Sequence, residues 1–137
     1  FPLPFTDAIP DTVAGYELYI FLDTFNGYNQ VCITLEDQVK TAFLTNWGVY
    51  AVVVMMFGFK TVPYTFQRAI MEIFDAFIPQ LMQALMDDFS VFSSSARHLE
   101  CLHRCLQQCR ETQLKLSVTK CVLAVFSARL LGHIVSQ

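Results

Sequence analysis

The stretch Leu81-Met82-Gln83-Ala84-Leu85-Met86-Asp87-Asp88-Phe89-Ser90-Val91-Phe92 decides how the chain is read. Two short apolar runs flank a pair of acids, which predicts a hairpin with Asp87 and Asp88 at its tip. Carboxylates this close repel one another, and desolvation raises their pKa values. A bound divalent cation removes that cost. Neighbours in a strand point to opposite faces, so the pair converges on one site only where the tip bends or a metal sits at its end. Asp23 is a third acid of the same kind. It ends the apolar run Tyr19-Ile20-Phe21-Leu22 and is followed by Asn26-Gly27, a strong turn dipeptide. Three such acids form a hard-oxygen site suited to Mg²⁺, which binds through few carboxylates and completes its shell with water and substrate phosphates. Phosphoryl transfer by two metals is the chemistry most in need of it. The competing reading of the Asp-Asp pair is a solvated loop tip whose side chains bond local N–H groups.

Outward from the hairpin, residues 65–77 carry apolar positions at Phe66, Ile70, Ile73, Phe74 and Phe77, a helical period that Pro79 should stop. Ser93-Ser94-Ser95 offers a capped start to a helix over about 96–112, with Leu99, Leu102 and Leu106 on one face. Cys101, Cys105 and Cys109 line another face at i, i+4, i+8; small buried hydrophobes are the expectation there, ahead of a metal site. A short helix over 11–16 closed by Gly15, strands over 19–23, 41–44 and 49–56, and a helical turn or extended segment over 28–35 complete the first half. Further strands are expected over 114–118, 121–126 and 130–135. Strands and helices mixed without strict βαβ alternation predict an α+β fold.

The 137 residues amount to one domain, and 54% hydrophobic content with 15% charged residues excludes disorder for most of the length. Residues 41–59 carry no charge, and the mean hydropathy of +0.42 raises the question of a membrane span. The solidly apolar part, 49–57, is far short of the roughly 20 residues needed to cross, so two buried strands around an Asn46-Trp47-Gly48 turn are expected, with no membrane partner. Five cysteines without paired spacing and without a secretory signal predict free thiols in a reducing, intracellular compartment. The chain opens Phe1-Pro2-Leu3-Pro4 without Met, as an excised piece would.

Phe21-Leu22-Asp23-Thr24-Phe25-Asn26-Gly27-Tyr28-Asn29-Gln30 resembles the first catalytic motif of reverse transcriptases of gypsy-type LTR retrotransposons. The run from Met56-Phe57-Gly58-Phe59-Lys60 to Phe66-Gln67 resembles their second motif, and Leu85-Met86-Asp87-Asp88 their aspartate-pair motif. Phe1-Pro2-Leu3-Pro4 is similar to the segment leading into the palm, and Leu131-Gly132-His133-Ile134-Val135-Ser136 to the primer-grip strand pair. All occur in the family's order and spacing along the whole chain. The resemblance implies a palm-like antiparallel sheet packed on helices with part of the fingers, residues 1–137 forming a fragment of the reverse transcriptase domain. It implies an RNA-directed DNA polymerase acting on an RNA or DNA template with primer and dNTPs, alongside the remaining domains of a Pol polyprotein in a cytoplasmic virus-like particle. By the same resemblance Asp23 and Asp87 bridge two Mg²⁺ ions, with Mn²⁺ able to substitute and Asp88 in support. Tyr28 falls at the steric gate, Phe57 and Gly58 under the incoming nucleotide, Pro63 to Gln67 on the template helix, Lys120 beside the leaving group, and Leu131, Gly132 and His133 in the primer grip.

Four positions depart from the family pattern. Leu85 replaces Tyr or Phe, Met56 replaces Pro, and Val62 and Tyr64 replace Ala. A buried Tyr64 would overpack the template helix at a cost of about 1–3 kcal/mol. The alternative reading is therefore a catalytically inactive remnant of a degenerate retroelement. The formal charge of −3 leaves no net attraction for a polyanion. The 137 residues alone are expected to bind primer-template weakly and not to polymerise.

Overall fold

A computed structural model describes residues 15–78, 80–130 and 133–136 of the chain. The strands are β1 (Leu18–Asp23), β2 (Phe43–Thr45), β3 (Gly48–Tyr50), β4 (Met82–Leu85), β5 (Asp88–Ser93), β6 (Val122–Val125), β7 (Ser127–Leu130) and β8 (His133–Ser136). Three α-helices accompany them: α1 (Leu35–Gln38), α2 (Val62–Ile73) and α3 (His98–Glu111). One antiparallel sheet has the order β4-β5-β1-β6, while β2-β3 and β7-β8 are separate hairpins. The architecture is α+β, as the sequence pattern predicts.

The strict period of two along β1 and β5 builds the two faces of the sheet. Ile20, Leu22, Phe89 and Val91 face a core shared with Phe66, Ile70 and Phe74 of the α2 segment and with Cys101, Cys105 and Cys109 of α3. Tyr19, Leu85 and Phe92 form a smaller cluster of their own, packed with Phe21, Met86 and Val125. Phe66, Ile70 and Phe74 recur every four residues and are almost wholly buried. Burying each stabilises the helix-on-sheet layer by about 1.5–3 kcal/mol.

Several expectations are corrected. α2 begins at Val62, three residues before the expected start, because Pro63 sits in its first turn, where a missing N–H costs nothing. It ends at Ile73 and passes into turns, Phe74 N–H still donating to Ile70 O at 3.0 Å. Pro79, its expected stop, lies outside the described residues. A 3₁₀ turn, Ser95–Arg97, precedes α3, and the buried face of that helix is His98, Cys101, Cys105 and Cys109, not the leucines. Leu99 and Leu106 are exposed and only Leu102 packs at the core's edge. Burial of Cys101, Cys105 and Cys109 matches the expectation of small buried hydrophobes on that face.

The strand expected over 49–56 stops at Tyr50, with a single bridge, Cys32 to Val54, beyond it. The β2-β3 hairpin is not buried: Leu44, Trp47 and Val49 are more than two-thirds exposed. Three-residue strands in a separate two-stranded sheet have no second layer to cover them. Only an isolated bridge, Thr24 to Leu116, forms where a strand over 114–118 was expected. The segment 28–35, left open between helix and strand, opens as a 3₁₀ turn, Gly27–Gln30. The expected strand over 130–135 divides between β7 and β8. Leu131, Gly132 and most of the expected opening helix lie outside the described residues. Among the described residues no helix is long and apolar enough to cross a membrane.

Candidate active site

The register of three strands gathers the acids. Asp23, last in β1, is directly opposite Asp88, first in β5. Leu85 also pairs with Asp88, so β4 and β5 are joined by the two-residue turn Met86-Asp87. Met86 adopts φ 54, a left-handed conformation unusual for a long side chain, and the turn bends Asp87 toward the end of β1. The sequence argument asked for a bent tip or a metal at its end, since Asp87 and Asp88 would otherwise face apart, and the tip is bent.

Neighbouring groups hold this end of the sheet. Thr24, 2% exposed, donates from Oγ1 to Asp87 Oδ1 at 3.0 Å. Gln67, fully buried, donates from Nε2 to Ala84 O at 3.0 Å and accepts from Met86 N–H at 2.6 Å. Its amide is thus engaged by the backbone around the aspartate turn, and it braces that turn where the resemblance implied a substrate contact. Ser117 N–H donates to Asp23 O at 2.9 Å, anchoring the turn that carries Lys120. Lys120 Nζ lies 3.4 Å from Asp23 Oδ1, and the ammonium is largely exposed.

The charge is incompletely balanced. Burial, then Asp23 and Asp87, push the Asp88 carboxyl above the ordinary carboxylate range, and Lys120 opposes them. Hard oxygen donors under mutual repulsion fit a divalent cation, which would relieve it. Among the described residues no group of three or more His, Cys, Asp and Glu side chains stands close enough to hold a metal ion by itself. A cation would therefore draw its remaining ligands from water and substrate.

Beside the acids, Tyr28 is buried with its ring edge-on to Phe66 and Phe57, at centroid distances of 5.2 and 4.8 Å. Burial and then Asp87 raise its phenol pKa. Phe57 is 80% exposed on the far side of the Tyr28 ring, and Gly58 follows at φ 104, where a side chain would be strained. Pro63 is half-buried in α2. Tyr64 is 46% exposed, so the expected overpacking does not arise: its ring leaves the core. His133 opens β8.

Sequence reasoning missed two members of this site. Thr24 was read only as part of the first motif and Gly27 as turn chemistry, yet Gly27 is a packing requirement. A Cβ there would strike Thr24 Oγ1, lie 2.6 Å from Asp87 Oδ1 and lie 2.7 Å from Phe66 Cζ. Gly27 in the first motif was visible; its contact with a carboxylate 60 positions away in sequence was not.

An antiparallel sheet backed by two helices, with three acids converging at one sheet end, defines a polymerase-palm type of domain. Residues 6–135 match the family described as reverse transcriptase (RNA-dependent DNA polymerase), and the chain belongs to that family. It is 31% identical over 137 residues to the retrovirus-related Pol polyprotein from transposon 297 of Drosophila melanogaster, covering 99% of this chain and 13% of that protein. It is 33% identical over 134 residues to the polyprotein from transposon 412 of the same fly, covering 97% of this chain and 11% of that protein. The gypsy polyprotein is 27% identical over 141 residues, covering all of this chain and 13% of its own length. The chain thus spans about an eighth of the curated relatives it matches. In fold it is similar to a foamy viral protease-reverse transcriptase solved in complex with dsDNA, with TM-score 0.88 and 20% identity over 99% of this chain and 28% of that one.

Proposed function

We propose that the chain is the catalytic palm, with part of the fingers, of an RNA-directed DNA polymerase from a retrotransposon Pol polyprotein. Its substrates in that reading are dNTPs and a primer on an RNA or DNA template. The observation that carries the reading is the register that sets Asp23 opposite Asp88, with Asp87 next to it in the two-residue turn. Asp23 and Asp87 would hold two Mg²⁺ ions, with Asp88 in support. Bound there, the ions supply Lewis acidity to the primer 3′-OH and neutralise the departing pyrophosphate. The chain's own groups do the rest. The Tyr28 ring, backed by Phe66, walls the space where the sugar would lie, so a 2′-OH meets an aromatic edge. Exposed Phe57 and unhindered Gly58 offer a floor for a base, and Pro63 in the first turn of α2 sits on the template side. Lys120, whose Nζ lies beside Asp23, would supply a proton to the leaving phosphate. Residues 131–133 would grip the primer, and the remaining domains of the polyprotein would supply the positive surface that a charge of −3 does not. A cytoplasmic particle is the setting this reading proposes.

The test places these residues in an otherwise intact gypsy-type polymerase and measures Mg²⁺-dependent primer extension on RNA, beside Asp87→Asn. Extension that disappears in the variant supports a working palm. A folded, soluble chimera that extends nothing refutes it and favours the inactive remnant.

A further inference from the structure

Thr24 is nearly sealed from solvent, yet it is a polar residue, and its hydroxyl is spent on one carboxylate oxygen of Asp87 at 3.0 Å. Thr24 directly follows β1 and Asp87 lies in the turn between β4 and β5, 63 positions apart in sequence. Gly27 closes over the pair so tightly that one methyl group would collide with both side chains and with Phe66. Phe66 in turn carries the Tyr28 ring. Among the described residues, the other Asp87 oxygen, Oδ2, has no hydrogen bond.

We propose that Thr24 is a positioning residue for Asp87. Its hydroxyl turns Oδ1 inward and fixes the carboxylate rotamer, presenting Oδ2 alone as the oxygen free to meet a cation. The inference rests on the polymerase reading for its meaning but predicts a property of the protein without substrate. At 3.0 Å the bond is at the long end for a hydroxyl on a carboxylate, yet one that holds a rotamer also removes the entropy of ordering it on binding. The methyl group of Thr24 contributes packing only, so the hydroxyl and the methyl can be separated by substitution.

Thr24→Val keeps the shape and removes the hydroxyl; Thr24→Ser keeps the hydroxyl and removes the methyl. Mn²⁺ affinity of the full 137-residue chain is read by electron paramagnetic resonance without nucleotide or nucleic acid, beside thermal melting. The expected result is about a tenfold loss of Mn²⁺ affinity in Thr24→Val and near-native affinity in Thr24→Ser, even where Thr24→Ser melts lower. In the chimeric polymerase the same pair should split on kcat, with KM for dNTP unchanged. Equal Mn²⁺ affinity in Thr24→Val and the native chain overturns the proposal, as does a Thr24→Ser variant no better than Thr24→Val. Asp87→Asn separates the two readings. If it abolishes extension while Thr24→Val is silent, the palm stands and the role of Thr24 falls; if it leaves extension intact, the palm reading itself fails.

Discussion

Gly27→Ala adds one methyl group at the tightest point beside the acids. The new Cβ would lie 2.6 Å from Asp87 Oδ1 and 2.7 Å from Phe66 Cζ, and closer still to Thr24 Oγ1. Ordinary contact begins near 3.4 Å, so Asp87 Oδ1 must retreat by about 0.8 Å or the turn after β1 must move outward. Phe66 cannot yield freely, because it is 1% exposed and wedged against Tyr28. Overpacking of this kind costs about 1–3 kcal/mol. Gly27 has no left-handed φ, so an alanine suffers no backbone strain, and its lower unfolded-state entropy returns about 0.4–1 kcal/mol. The net loss should appear as a lower urea midpoint at unchanged slope. The larger effect falls on function, since displacement of a reacting group by about 1 Å lowers rate about a hundredfold. Primer extension by the chimeric polymerase measures it. A Gly27→Ala chain with native midpoint and native extension would refute the reasoning, because the carboxylate would then be shown to sit loosely.

His98 is buried, with Nδ1 on Ser93 Oγ at 2.8 Å and, among the described residues, no partner for Nε2, and desolvation lowers its pKa below the usual 6.5. The unfolded chain therefore binds the proton more readily. The stability contributed by the neutral ring is whole above pH 6.5 and lost as pH falls from there through the lowered folded value. The urea midpoint should drop between pH 7.5 and 5.5 by more in the native chain than in His98→Gln, and equal drops would count against the argument. Burial pushes the Cys105 thiol up to about 12 and that of Cys109 to about 11, whereas Cys32 is exposed. A disulfide reagent at pH 8 should modify Cys32 at once and Cys105 and Cys109 only on unfolding; fast labelling of those two would contradict their place in the core. Finally, with a charge of −3, primer-template binding by the 137 residues should be weak and its log–log salt slope shallower than about −2, against steeper values for proteins that neutralise many phosphates. A slope near −5 would show a cationic surface that the composition denies.

The elements most legible in the sequence were those whose apolar period matched one partner layer. The aspartate hairpin, β1 and the two long helices were readable because their periods of two and of about four point at the same core. Leu99 and Leu106 misled because residue type was taken for burial. The face of α3 that packs on the core carries His98, Cys101, Cys105 and Cys109. The β2-β3 hairpin misled for the converse reason: an uncharged stretch reads as buried, yet no layer covers it. At the site, the three acids were legible as chemistry, while Thr24, Gly27 and the bracing role of Gln67 were not. Their partners lie 17 to 63 positions away, a distance that only pairing register can bridge.

That register explains why so few residues specify the acid cluster. Once Leu22 pairs with Phe89, the next rung must place Asp23 on Asp88, and the two-residue turn leaves Asp87 nowhere but beside both. A slip by one residue would turn Phe89 and Val91 out of the core, at about 1.5–3 kcal/mol for each side chain exposed. The repulsion among three carboxylates is thus opposed by the same apolar residues that build the sheet, in addition to the direct contacts of Thr24 and Lys120. Gln67 adds the second restraint: with its amide bonded on both sides of Leu85, the turn cannot relax its left-handed Met86 without breaking a bond from a buried side chain. The cluster is therefore charged and strained at its tip but rigid at its base, the condition under which a cation gains most from arriving.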